Sequence, residues 1–195
     1  MSKQIDITKL ERIRDAAIIL ISRHGLANAS VAHIAQQAGV STGYLYRHYA
    51  GKEELLNDLL DRVLTRISDR AAQLAVEMHA LEDVVEGLVR YIFTIAEQQP
   101  EHVRFCLNLQ NDLSVPISGQ VIERLRGLCE DLRTKGENAG MIGGRITAED
   151  LYVAMLCMPL QYVGVRLRGA FRPFGCGEEE IGHVASLCLS AIKNK

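Results

Sequence analysis

Apolar residues in this chain recur at the helical period almost from end to end, and no segment alternates apolar with polar as a half-buried strand would. That property confines the chain to an all-α fold. The most constrained stretch runs from Ser30 to Lys52, SVAHIAQQAGVSTGYLYRHYAGK. Val31, Ile34, Ala35 and Ala38 stand at i, i+3, i+4 and i+7, one face of a short helix. Ser30 precedes that face, where a hydroxyl can accept a bond from an otherwise unpaired backbone N–H. Gly39 follows the last apolar position, where a residue without Cβ turns the chain cheaply through positive φ. Ser41 offers a second N-cap, and residues 42–49 form the next helix. Two helices on one glycine turn make a helix-turn-helix.

The rest of the chain supplies further helices and little else. The first spans residues 8–24, with Leu10, Ile13, Ala17, Leu20 and Ile21 on one face and Gly25 closing it. A long helix opens at Lys52 and carries Leu55, Leu56, Leu59, Leu60, Val63, Leu64 and Ile67. It is long enough to serve two domains, with the boundary near Leu55. Five more helices are expected over residues 81–98, 101–111, 116–138, 147–168 and 178–195, with Pro100 and Pro116 suited to first-turn positions. Thr147 and Asp150 approximate a capping box, and Pro159 should kink its helix or end its first part.

Composition narrows the functional classes. Hydrophobic residues make up 48% of the 195 and charged residues 24%, so a real core and a solvated surface are both available. The net charge is −2, but residues 1–55 hold seven Lys/Arg against five Asp/Glu, and the remainder is acidic. The basic front end points weakly to a polyanion. The five cysteines are scattered without CxxC or Cys/His spacing, which reads as free thiols in a reducing cytosol and argues against a metal or cofactor. The polar start MSKQIDITKLERIRDAA has no leader pattern, and the longest apolar run, 153–165, is too short for a membrane span. A cytoplasmic protein without a membrane partner is expected. No nucleophile elbow, phosphate loop or metal motif occurs, so an enzyme is not expected.

With Leu45 at zero on a helical wheel, Tyr49 lies beside it and both face inward with Val40. Gly43, Tyr44 and Arg47 point away, and Thr42 stands at the N-terminal end. A hydroxyl, a bare backbone, an aromatic and a guanidinium suit a DNA major groove. Ser30, Tyr46, His48 and Lys52 stand around the rim, able to donate to phosphates.

The string from Val40 to Leu55, VSTGYLYRHYAGKEEL, resembles the signature that ends the DNA-binding domain of TetR-family transcriptional regulators, with Tyr49 where Phe is more usual. The pattern upstream, from Ala16 to Ser41, matches as well. The resemblance implies that Thr42, Gly43 and Tyr44 meet bases or nearby backbone, that Tyr46, His48 and Lys52 clamp phosphates, and that Leu45 and Tyr49 are structural. It also implies a helix-turn-helix domain over 1–55, followed by a larger helical ligand-binding and dimerisation domain over 56–195.

Two features of the second part support that plan. The 153–165 stretch is apolar nearly all round and, with the last helix, makes a plausible four-helix seam in a homodimer reading double-stranded DNA at a near-palindromic operator. A small-molecule effector would find apolar and aromatic walls in Tyr91, Phe105, Leu109, Met155 and Tyr162, with Gln110 among the polar contacts. A repressor released by a small apolar or aromatic ligand is the leading expectation. The alternative is redox control of the same DNA binding through Cys176, set between glycines in FGCG.

Overall fold

The computed structural model describes residues 7–110, 112 and 115–193. Among them all regular backbone structure is helical, apart from one antiparallel bridge between Ile142 and Lys193. Helix α1 spans Ile7–Asn28, and Gly25 at φ 76° breaks it where the glycine stop was expected. Asn28 donates to the freed carbonyl of His24 at 2.9 Å. Helices α2 (Val31–Gln37) and α3 (Thr42–Tyr46) are capped as their sequences require. Ser30 Oγ accepts from the His33 amide and Ser41 Oγ from the Tyr44 amide. Gly39 makes the turn between them at φ 65°.

The second helix was expected to reach residue 49, but α3 ends at Tyr46. The Arg47 and His48 amides bond carbonyls only three residues back, so the last turn tightens before Tyr49. Ile13, Ala17, Ile21, Ile34, Ala35, Leu45 and Tyr49 form the small core of this three-helix unit.

Helix α4 (Lys52–Glu77) leaves that unit and runs into the remainder. There α5 (Leu81–Gln98) is the central element, burying Val84, Val85, Leu88, Val89, Ile92, Phe93 and Ala96. Around it pack α4, α6 (Pro100–Gln110) and α10 (Glu178–Ile192). Helix α7 (Gly119–Asn138) lies along α4, where Lys135 donates to the Ala75 and Met78 carbonyls and Arg124 pairs with Asp69. Ser118 caps α7, so Pro116 precedes that helix rather than starting it. The expected ends at Asn111 and Lys195 lie outside the described residues.

The helix expected over 147–168 is interrupted. Thr147 and Asp150 close a full capping box at the start of α8 (Ala148–Tyr152). A π turn follows (Val153–Cys157), then α9 (Met158–Leu167). Proline at 159 has no N–H and its ring would crowd the carbonyl four residues back. Widening the preceding turn, so that the Met158 amide reaches Val153, relieves that conflict without a sharp break.

Helix α1 also packs along α6, an arrangement no sequence periodicity announces. Ser22 donates to Glu101 at 2.9 Å, Arg23 pairs with the same carboxylate, and Asn108 donates to the Ile21 carbonyl at 3.0 Å. Phe105, on the same helix, is fully buried. Phe105→Ala is expected to cost about 3–5 kcal/mol through lost burial and the cavity left behind, read as a lower midpoint in urea unfolding; a change below about 1 kcal/mol would contradict the packing role.

Candidate nucleic-acid interface

The candidate reading surface is built on α3. Leu45 and Tyr49 are buried beneath it, as the helical wheel requires. Thr42, Gly43, Tyr46 and Arg47 are exposed, and no atom lies within 4 Å of where a Cβ on Gly43 would stand. A groove wall could therefore approach that backbone closely. Ser30 is also exposed, with its hydroxyl proton still available beyond its capping bond.

Two side chains depart from the expected arrangement. Tyr44 was expected to point away from the core, but it is half-buried and its phenol oxygen is enclosed without a partner. Its ring is covered by His48, with centroids 4.8 Å apart, and flanked by Lys9 and Arg47 at 5.6 and 5.8 Å. It gathers cations beside α3 rather than presenting a bare aromatic. Lys52 also turns back, donating from Nζ to the Leu26 carbonyl at the end of α1. Its charge stays on the rim, but one of its three donors is spent inside the protein.

The surface is held in place by a carboxylate that periodicity does not reveal. Asp58, on the first turns of α4, accepts from the Tyr49 hydroxyl at 2.7 Å and from Arg14 Nε of α1 at 3.1 Å. Its other oxygen accepts from Arg62 at 2.9 Å. Burial disfavours the Asp58 charge, but the bonds from Tyr49, Arg62 and Arg14 outweigh it and hold the carboxyl below its usual value. Burial, then the bond to Asp58, pushes the Tyr49 phenol up to about 12. The hydroxyl that distinguishes Tyr49 from phenylalanine thus joins the recognition unit to the long helix. The signal in the sequence was an aspartate set among Leu55, Leu56, Leu59 and Leu60.

The six effector-site candidates do not converge. Tyr91 lines a cavity of about 20 Å³ between α4, α5, α6 and α9, with Arg66, His102, Cys106 and Leu160. Met155 lines another of about 30 Å³ beneath α7. Phe105 and Leu109 are packed core. Gln110 is exposed and donates to Cys157 Sγ at 2.9 Å. Tyr162 lies at the outer face of α9, its hydroxyl donating to Glu180 at 3.2 Å. Each of the two cavities has room for about one or two water molecules. In this conformation the interior is closed to a larger guest.

The thiols are shifted away from reactivity. Burial, then Glu97 beside it, raises Cys176, the opposite of what a thiolate sensor needs. Burial likewise pushes Cys106 up to about 12 and Cys129 and Cys188 up to about 11. His102, half-buried beside Arg66, is pushed down by burial first and that charge second. No group of three or more metal-ligating side chains occurs among the described residues. None of their helices is long and apolar enough to cross a membrane.

A three-helix unit with a short exposed third helix, carried on a long helix into an α-helical body, defines a helix-turn-helix protein of two parts. Residues 13–59 match the family model of bacterial regulatory proteins, tetR family. The HTH-type transcriptional regulator YvdT of Bacillus subtilis is 32% identical over 101 residues, which is half of each chain. The chain thus spans about half the length of that relative. A TetR family transcription regulator from Marinobacter aquaeolei VT8 superposes with a TM-score of 0.80 at 22% identity, covering 98% of this chain and 99% of its own. FadR of Bacillus subtilis, crystallised in complex with stearoyl-CoA, superposes with a TM-score of 0.78 at 19% identity, over 94% of this chain and 99% of its own. Residues 13–59 thus carry the tetR-family segment, and the chain as a whole has the fold of solved TetR-family regulators.

Tyr49→Phe keeps the buried ring and removes one bond to a carboxylate that retains two arginines. It is expected to cost about 1 kcal/mol in urea unfolding. For Asp58 the folded carboxyl lies below its unfolded value of 3.8, so its stabilising contribution is full above that value and is lost as pH falls through the folded one. The stability gap between the wild type and Asp58→Asn should therefore stay level above about pH 5 and close in stronger acid. A gap that widens below pH 4 would contradict the assignment.

Proposed function

We propose that the protein is a homodimeric DNA-binding repressor, released from a near-palindromic operator by a small apolar effector. The observation that carries the DNA reading is the split of α3 into a buried side, Leu45 and Tyr49, and an exposed side, Thr42, Gly43, Tyr46 and Arg47. On this reading Thr42 and the Gly43 backbone approach base edges, and Arg47 pairs with guanine or phosphate. Ser30, Tyr46, His48 and Lys52 grip the flanking backbone. Tyr44 contributes by holding His48, Lys9 and Arg47 together rather than by touching a base. The reading unit ends near Leu55, and residues 56–195 form the regulatory and dimerising part.

One short helix reads too few base pairs to specify an operator, so a second copy is needed, set about one DNA turn away. The outer side of the π turn, α9 and α10 suits that role. Val153 is 54% exposed, Leu187 41% and Val165 37%, an apolar band that a symmetric partner would cover. The effector reading rests on the closed interior and on α6. Guests larger than a water molecule must displace the helices around Tyr91 and Met155. Helix α6 is one of them, and Glu101 and Asn108 tie it to α1. Effector binding would thus shift α1 and the spacing of the two recognition helices, a change of population between two dimer shapes. The stearoyl-CoA crystallised with FadR has a long apolar acyl chain on a charged coenzyme A head group, so it supports the apolar part of this reading.

On a duplex selected from random sequence by the wild type, Arg47→Ala and Tyr46→Ala are each expected to weaken binding about tenfold. Their melting temperatures should stay unchanged, because both side chains are exposed. Unaltered band shifts for both variants would remove α3 as the reader. Leu187→Glu should move the protein from dimer to monomer in sedimentation, and a dimer that survives it would displace the proposed seam.

A further inference from the structure

Outside the closed interior, a groove of about 400 Å³ runs between α7 and α8. That volume lies in the range of small-molecule sites, about 300–1,000 Å³. Its apolar floor includes Ile122 and Leu125 of α7 and Tyr152 of α8. Three of its lining side chains, Leu125, Cys129 and Tyr152, also line the buried cavity beneath α7. They form a single partition. Leu125 and Cys129 are one turn apart on α7, and Tyr152 meets them from α8. The buried cavity in turn shares Ile67 with the cavity at Tyr91. Groove and two cavities are therefore neighbours in series, each sharing lining side chains with the next.

The partition stands on an adjustable joint. Tyr152 is the last residue of α8, directly before the π turn that Pro159 imposes. Its phenol lies beside Cys157 at the far end of that turn, and Gln110 donates to that sulfur at 2.9 Å. Burial, then Cys157, pushes the Tyr152 phenol up to about 12, so it is kept protonated. Interruptions of this kind in a helix recur at functional sites because their bonds rearrange at low cost.

We propose that the α7–α8 seam is a gate through which an uncharged, elongated apolar effector passes from the outer groove into the core. The proposal rests on the effector-responsive reading above. The charge class follows from the rim. Arg126 pairs with Glu123 at 3.0 Å, Glu130 with Arg133 at 2.8 Å, and Thr147 with Asp150. Glu149 sits in the first turn of α8, where the helix dipole favours its charge. Every cation of the rim is thus paired and Glu149 leaves it acidic, so it offers nothing to hold an anionic ligand, and the cavity beyond it has no charged side chain to partner a cation. The shape follows from the row Ile122, Leu125, Cys129 and Leu132 along α7, which extends about 15 Å. Leu125 and Cys129 are the leaves of the gate on one side. Tyr152, beside Cys157 of the π turn, is the leaf on the other.

The test uses the full chain and the uncharged fluorophore N-phenyl-1-naphthylamine. Saturable binding at one site per chain is expected. Decanol should displace it at about tenfold lower concentration than decanoate or decyltrimethylammonium, because burying an ion without a partner is costly. Leu125→Trp, which fills the partition, should weaken probe binding about tenfold, and Ile122→Glu at the exposed mouth should do the same without touching the core. Tyr152→Phe keeps the ring but removes the hydroxyl beside Cys157, so probe association should speed up several-fold with little change in melting temperature. Equal displacement by the ionic analogues, wild-type affinity in Leu125→Trp and Ile122→Glu, or an unchanged association rate in Tyr152→Phe would each overturn the gate. Duplex binding is measured on the same samples without probe. Loss of DNA binding in the wild type with the probe pattern intact would refute the repressor and leave the gate. The converse would refute the gate alone.

Discussion

Everything the recognition unit can do depends on how it is anchored to α4, and the anchor is the Asp58 carboxylate. A half-buried carboxylate is tolerated only where donors replace the water it has lost. Here three donors converge on it from separate segments: Arg14 from α1, Tyr49 from the end of the recognition turn, and Arg62 from α4 itself. Hydrogen bonds are directional, whereas the leucines around Asp58 only require contact. The apolar core makes the unit compact, and the carboxylate fixes its angle to the long helix. That angle decides where α3 points, and a dimer that reads two half-sites tolerates little error in it.

Helix α6 makes a second connection of a different kind. It packs along α1, and a half-buried carboxylate, Glu101, and one amide, Asn108, tie the two helices. Pairs of this sort contribute little individually and yield more readily than a buried network. The recognition unit is thus held on two sides, by α4 through the Asp58 network and by α6 through a long packed contact with α1.

The sequence carried the local geometry of the recognition unit because each feature there is written by adjacent residues. Gly25 and Gly39 take positive φ where the pattern stops, Ser30 and Ser41 cap the helices that follow them, and Leu45 and Tyr49 face inward at helical spacing. The placement of Tyr44 and Lys52 was not legible, since it depends on Lys9 and Leu26 of another helix. Asp58 was visible only as an oddity, a charge on an apolar face, two of whose three partners lie 9 and 44 positions away. The effector candidates illustrate the same limit. Amphipathic periodicity identifies Phe105, Leu109, Tyr91 and Met155 as inward-facing, but cannot separate a residue that fills the core from one that lines a space.

Pro159 links the closed interior to the outer groove. A proline in mid-helix must be accommodated by some distortion. In this chain the distortion is a widened turn rather than a break, so α8 and α9 stay connected. The cost is a segment whose hydrogen bonds are less regular, placed between the partition at Tyr152 and the outer band at Val153 and Val165. A guest that moved Tyr152 would therefore disturb the backbone bearing the face proposed for dimer contact. The entry of a ligand and the geometry of the dimer would then be two consequences of one adjustable turn, without any further linkage across the protein.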